Sequence, residues 1–335
     1  MFRCFKMGNN ESSFPILSMT RERIIIVTGA NRGIGYEIAK WCAMMGATVI
    51  LACRSESRAR AAIENMNTEF QNEKRKENCY LTQSSSLALE FMYVDLSSFE
   101  SVVSFCEAFK TSGRRLHVLF CNAGVGYLPY QKTDNGMEMM LQVNYLSHFV
   151  MIGKLLRVMK QSGPDCRILL MSGFTKNVAI DLKNINYSGS PRKFNSILYY
   201  IRTKLYQQMQ TEAMSHRIAR YNVTINCIKL GITNTDFYSH YEVPCCFCEF
   251  RCLLESTRTP FQSSKCPIDL AVNPQHSGVN GRFWFDSKIV KFPKYVARIE
   301  QNREILWETT VDLVRPYLTD EEILEINGEI CDTHL

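Results

Sequence analysis

The sequence predicts an α/β fold: a doubly wound parallel sheet of about seven strands, with helices on both faces and a short lid. Three observations carry this. First, the short β-branched run Arg23-Ile24-Ile25-Ile26-Val27 leads directly into Thr28-Gly29-Ala30-Asn31-Arg32-Gly33-Ile34-Gly35, and then into Tyr36 to Met45 at helical spacing. Second, further apolar runs recur at Ala47 to Ala52, Leu89 to Val94, Leu116 to Cys121 and Arg167 to Met171, with helical stretches between them. Third, the 335 residues are 46% hydrophobic, enough to bury a sizeable core.

The first strand, its glycine turn and the following helix form the context in which a dinucleotide's phosphates are held. Glycine lets the backbone turn tightly and approach a pyrophosphate, and the new helix presents unpaired N–H groups and the positive end of its dipole. The second strand ends at Cys53-Arg54. A carboxylate there would accept bonds from a free ribose 2′-hydroxyl, whereas an arginine pairs with a 2′-phosphate. Arg54, with Arg32 in the turn, therefore points to NADP(H) in preference to NAD(H).

A helix is expected from Glu56 to Phe70, then a polar surface loop from Gln71 to Ser86. The third strand ends at Asp95-Leu96-Ser97, where Asp95 can reach the adenine edge, and the fourth closes on Asn122-Ala123-Gly124. Thr133 to Met159 reads as one helix. Asn144 lies within it, either as a satisfied core amide or as a group that holds a water. The fifth strand ends at Ser172-Gly173, and helical spacing resumes near Asn195. Tyr200 and Lys204 then fall four residues apart on one helix face. A free tyrosine titrates near ~10, and a neighbouring ammonium favours its phenolate, so the pair can exchange a proton with an alcohol or carbonyl.

A net charge of +6 without a dense basic stripe excludes nucleic acid as the expected partner. Lys74-Arg75-Lys76 has acidic neighbours and reads as a solvated loop. Met1 to Thr20 carries no continuous apolar stretch of the kind a secretory signal needs, and no uninterrupted apolar run reaches 18 residues. The fourteen cysteines are mostly scattered singly through strands and helices, which suits a reducing compartment. The expected location is the cytoplasm or the cytosolic face of an intracellular membrane.

From Phe237 to Gln275 the periodicity is lost, and the reading is an apolar substrate lid. Cys245, Cys246, Cys248 and Cys252 lack the paired knuckles of a zinc site, so no metal is expected. Beside Phe247 and Phe250 they are also compatible with S-acylation or peripheral membrane contact. Gly281 to Phe285 is expected as the final strand, Tyr295 to Tyr317 as the closing helix, and Thr319 to Leu335 as a frayed acidic tail. The chain thus divides into an extension (1–22), a single domain (23–317, with its lid at about 237–275) and a tail (318–335).

These motifs resemble the short-chain dehydrogenase/reductase family from about Arg23 to Tyr238. TGANRGIG, Asp95, NAG at 122–124, Asn144 and Tyr200-x-x-x-Lys204 stand in that family's order and spacing. Ala52-Cys53-Arg54, LHVLFCNAGV, NGMEMMLQVNYLSHF and Leu306-Trp307-Glu308 are similar to its branch of retinol dehydrogenase-like and WW domain-containing oxidoreductase-like proteins, here without Trp-rich WW spacing. The resemblance implies a Rossmann-type fold and NAD(P)-dependent interconversion of an alcohol and a carbonyl on a retinoid, steroid or lipid aldehyde or ketone. Tyr200 would be the acid/base, Lys204 would bind ribose hydroxyls and lower the tyrosine pKa, and Asn144 would hold a relay water.

Two positions depart from that pattern. The family's serine, second of a Ser-Ser or Gly-Ser pair, aligns with Gly173, which leaves Ser172, Thr175 or no hydroxyl at all for its role. Leu230-Gly231 replaces Pro-Gly, while Thr235 keeps the contact to the carboxamide end. The alternative is a cofactor-binding protein with little turnover that acts through interactions. Oligomeric state stays open, a homo-oligomer included.

Overall fold

The computed structural model describes residues 17–329, apart from 76–80, 82–84, 174, 176–177, 179, 236, 238–256 and 293–299. Strand β1 (Ile24–Thr28) is buried throughout, as its β-branched run requires. Its residues alternate between two cores: Ile24 and Ile26 feed one face of the sheet, Ile25 and Val27 the other. Around it lie β2 (Thr48–Cys53), β3 (Ala88–Tyr93), β4 (Val118–Cys121), β5 (Cys166–Ser172), β6 (Val223–Lys229), β7 (Phe283–Phe285) and β8 (Lys288–Val290).

They form one sheet in the order β3-β2-β1-β4-β5-β6-β7-β8. All neighbours are parallel except β7 and β8. The eighth strand exceeds the expected seven because Asp286 and Ser287 both take positive φ, 50° and 56°, and so turn a two-residue hairpin. The strand order reverses between β1 and β4, which opens a crevice beyond their carboxyl ends.

Helices α1 (Gly33–Met44) and α2 (Glu56–Arg75) cover one face. Helices α3 (Phe99–Thr111), α4 (Ser147–Lys160) and α5 (Ser196–Arg217) cover the other. Helix α2 runs five residues beyond the expected Phe70, into the stretch read as a loop. The helix expected from Thr133 starts only at Met139, where Glu138 accepts the Leu141 N–H, and it widens into a π-turn at Gln142–Leu146 before α4.

Two further segments differ from expectation. Within the stretch read as lid, Pro260–Val272 forms helix α6, which packs on α1. Thr259 and Gln262 supply a capping box, and Pro260 suits the first turn. At its other end the buried Arg167 donates to the carbonyls of Leu270 (2.7 Å) and Asn273 (2.9 Å), and so satisfies a terminus that local sequence leaves open. Pro267 inside the helix masks its period.

The described part of the acidic tail also folds. Beyond α7 (Glu300–Val314), helix α8 (Asp320–Asn327) has a Thr319–Glu322 capping box and ends on Gly328 at φ 72°. Its acidity is directed: Glu322 meets Lys110 of α3 and Lys154 of α4, each at 3.1 Å, and Glu325 meets Lys160 at 3.5 Å. The acidic stretch read as frayed is therefore, over Asp320–Asn327, one side of a helix interface. Among the described residues no helix is long and apolar enough to cross a membrane, and no three His, Cys, Asp or Glu side chains group as metal ligands. The 245–252 cysteines lie outside the described residues.

Candidate active site

The glycine turn opens a cleft of about 500 Å³ at the β1–β4 reversal. Gly29 and Gly33 sit at φ 66° and 61°, where a side chain would be strained. A Cβ on Gly35 would lie 2.5 Å from both the Gly29 carbonyl oxygen and Asn122 Nδ2. Arg32 is the N-cap of α1 and gives no side-chain capping bond. The turn is closed from behind by Thr28, whose Oγ1 accepts the N–H groups of Asn122 and Ala123, both at 2.9 Å. Asn122 Nδ2 in turn donates to the Thr28 carbonyl at 2.8 Å. Of the cofactor-binding candidates, all but Thr28 and Tyr200 line this cleft. A glycine cradle with no room for side chains, at a helix amino end, fits a dinucleotide.

At the β2 end, Arg54 is 67% exposed and its Nη1 lies 3.9 Å from Asp95 Oδ2. Asp95 Oδ1 is occupied by the Ser97 N–H (2.9 Å) and hydroxyl (2.7 Å). Arg58 and Ser55 line the same corner. Sequence reading missed them, although the four-residue spacing from Arg54 to Arg58 was a usable signal.

On the far wall Lys204 is 5% exposed, and its Nζ donates to the Met171 carbonyl at 2.8 Å. Burial pushes its pKa down to about 8. The same Nζ lies 5.8 Å from the centroid of the Tyr200 ring. Three aromatic rings meet here: Tyr127 lies 5.0 Å and Phe237 5.4 Å from Tyr200, centroid to centroid. Gly126 is required by this packing, since a Cβ would come within 2.5 Å of Phe237. Tyr127 itself sits at φ 60°, a costly conformation for an aromatic residue. Its place in the cluster was not legible in the sequence.

The hydroxyl question has a geometric answer. Ser172 Oγ is buried and donates to the Lys204 carbonyl at 2.8 Å, while accepting from Gln208 Nε2 at 3.0 Å. Thr175 Oγ1 donates to Gln208 Oε1 at 2.9 Å. Both hydroxyls are spent on α5, away from the cleft. A Cβ at Gly173 would instead stand 3.9 Å from Tyr200 Oη and 3.7 Å from Lys204 Cγ, both ordinary contacts.

Asn144 is fully buried in the π-turn, and its amide is satisfied. Oδ1 accepts the Val125 N–H (2.8 Å), and Nδ2 donates to the Val125 carbonyl (2.9 Å) and to Thr203 Oγ1 (3.0 Å). Its backbone carbonyl accepts Gln207 Nε2 at 2.8 Å. The side chain thus grips the loop after Asn122-Ala123-Gly124.

Comparison with known proteins agrees with this architecture. Residues 23–242 match the family model described as short chain dehydrogenase. Retinol dehydrogenase 14 of Mus musculus is 32% identical over 272 residues, covering 79% of this chain and 78% of that protein. The WW domain-containing oxidoreductase of Gallus gallus is 30% identical, covering 88% of this chain and 69% of its own length. Among solved structures, a 3-ketoacyl-(acyl-carrier-protein) reductase from Brucella melitensis complexed with NADH superposes with a TM-score of 0.58 at 18% identity, covering 79% of this chain and 96% of that one.

Proposed function

The chain belongs to the short chain dehydrogenase family, an oxidoreductase acting on CH–OH groups with a nicotinamide dinucleotide, and from that premise we propose an NADP(H)-dependent interconversion of alcohol and carbonyl on a hydrophobic substrate. The observation that carries this reading is the buried Lys204 ammonium beneath the Tyr200 ring, at the wall of a cleft lined by the glycine turn.

The cofactor, when bound, supplies or takes the hydride. Gly29, Gly33, Gly35 and the amino end of α1 would hold its phosphates, and Arg54 with Arg58 would pair with a 2′-phosphate. Lys204 stays mostly protonated at neutral pH, since its lowered pKa of about 8 is still above 7. Its positive charge favours the phenolate, so that Tyr200 Oη gives a proton to a carbonyl oxygen in reduction and takes one from an alcohol in oxidation. Tyr127 and Phe237 keep the approach to that oxygen apolar. This suits a retinoid, a steroid or a lipid aldehyde, and the name of the mouse relative, retinol dehydrogenase 14, points the same way.

Gly173 favours a second reading: cofactor binding with little turnover. No hydroxyl of Ser172 or Thr175 stands beside Tyr200 to polarise the carbonyl, and loss of one such donor costs on the order of 10²–10³ in rate. The test is NADPH oxidation against a panel of retinaldehydes, ketosteroids and aliphatic aldehydes, with cofactor binding followed separately by fluorescence. Slow turnover that falls roughly 10²–10⁴-fold in Tyr200→Phe while NADPH still binds is the expected result. Tight NADPH binding with no turnover on any member would favour the second reading.

A further inference from the structure

We propose that His148 is a positioning residue: a neutral imidazole that holds the Asn144 turn and the Thr28–Asn122 junction in one register. The kinetic part of this proposal rests on the alcohol–carbonyl reading above; the hydrogen-bond part does not.

His148 stands in α4, one turn after Asn144, and is 1% exposed. Its Nδ1 lies 3.3 Å from the Asn144 carbonyl oxygen and its Nε2 lies 3.0 Å from Thr28 Oγ1. A carbonyl can only accept, so Nδ1 carries the proton; a neutral ring has one N–H, so Nε2 accepts. The Thr28 hydroxyl, which also lies 3.2 Å from the Phe120 carbonyl, then has Nε2 at 3.0 Å as its nearer acceptor. Its oxygen already takes two amide protons, from Asn122 and Ala123, so each of its hydrogen-bonding sites is filled once. A cationic ring would bring a third N–H to that oxygen and break the pattern. Burial, with the Lys204 charge adding to it, pushes the His148 pKa down to about 4, in agreement with the neutral form.

The result is a continuous path. The Asn122 and Ala123 amides bond to Thr28, Thr28 to His148, and His148 to the Asn144 carbonyl, which Gln207 of α5 also reaches. The Asn144 side chain then returns to Val125, one residue past Gly124, and to Thr203, next to Lys204. The loop 122–125 is thereby held from both sides, and His148 is the group common to both. The π-turn supplies the means, because widening the helix there accompanies a carbonyl that side chains satisfy.

The two ends differ in what remains without the imidazole. The Thr28 hydroxyl has a second acceptor, the Phe120 carbonyl at 3.2 Å, and can keep its two amides. The Asn144 carbonyl loses its imidazole donor and keeps the Gln207 amide. His148→Phe should therefore leave NADPH affinity within about threefold and lower kcat by about tenfold. His148→Gln, which retains one donor and one acceptor, should recover most of that loss.

The test combines these kinetics with nitrogen NMR of ¹⁵N-histidine-labelled full-length protein, the His148 signals being assigned by their loss in the two variants. The proposal predicts an Nδ1–H tautomer at pH 7, unchanged on lowering the pH to 5, and the split between kcat and affinity. An Nε2–H tautomer or a cationic ring at pH 7 overturns it, whether or not a substrate has been found. So does an unchanged kcat in His148→Phe, or an equal loss in both variants. Should His148→Phe fail to fold, the tautomer and the His148→Gln kinetics decide.

Discussion

At the β1–β4 side of the cleft, the contacts that shape the site are made largely by backbone: two glycines at positive φ, a third with no space for a Cβ, and amides of Asn122 and Ala123 gathered on the Thr28 side-chain oxygen. At the β5–α5 side they are made by side chains, and the outcome depends on where each hydroxyl or amide points. Ser172 turns toward α5, Asn144 toward Val125, and the position next to Tyr200 has no side chain at all. A backbone-built wall tolerates almost no substitution, because only glycine satisfies its geometry. A side-chain wall can lose a hydroxyl and still fold, so its chemistry drifts more easily than its architecture.

Three expectations probe this contrast. The largest effect belongs to the backbone wall: Gly35→Ala should weaken NADPH binding on the order of 100-fold, since its Cβ must push aside the Gly29 carbonyl or Asn122. Fluorescence titration of a variant with unaltered circular dichroism measures it. An affinity close to wild type would mean the cofactor phosphates do not approach that turn.

The junction between the walls comes next. The folded pKa of His148 is depressed, so the unfolded chain takes up a proton near pH 6.5 that the folded protein refuses until about pH 4. The stability from keeping the ring neutral is full above 6.5 and is lost as pH falls toward 4, by roughly 3 kcal/mol for a shift of this size. Urea unfolding at pH 7 and pH 4.5 should show wild type losing more stability than His148→Phe. Equal losses would mean the ring is not held neutral.

The smallest effect lies at the ribose corner. Arg54→Ala and Arg58→Ala should each weaken NADPH by about tenfold while leaving NADH nearly unchanged, as expected for one charge-assisted bond. A parallel loss for both cofactors would remove the 2′-phosphate assignment.

Legibility in the sequence followed the same division. The first strand, the glycine turn and the loop closing β4 were readable because spacing alone encodes them: a five-residue β-branched run, three glycines and an Asn-Ala-Gly. Tyr200 and Lys204 were readable as an i, i+4 pair. Helix α6 was not, because its carboxyl end is completed by Arg167 from β5, about a hundred residues away in sequence, and Pro267 interrupts its period. Nor was α8: its glutamates look solvated until Lys110, Lys154 and Lys160 are seen beneath them. The direction of Ser172 and the place of His148 are tertiary facts, set by what α5 and β1 bring alongside.

The proposed Tyr200–Lys204 acid/base pair has no polarising hydroxyl at Gly173. Gly173→Ser tests it most directly, since the position takes a side chain without strain and faces Tyr200 Oη. The measurement is the single-turnover rate of NADPH oxidation with the best aldehyde of the panel, in wild type, Gly173→Ser and Gly173→Ser/Tyr200→Phe. A rise of about tenfold to a hundredfold is expected in Gly173→Ser, below the full value of a transition-state donor, and it should disappear in the double variant. A rate that does not rise with serine, or a rise that survives Tyr200→Phe, would contradict it.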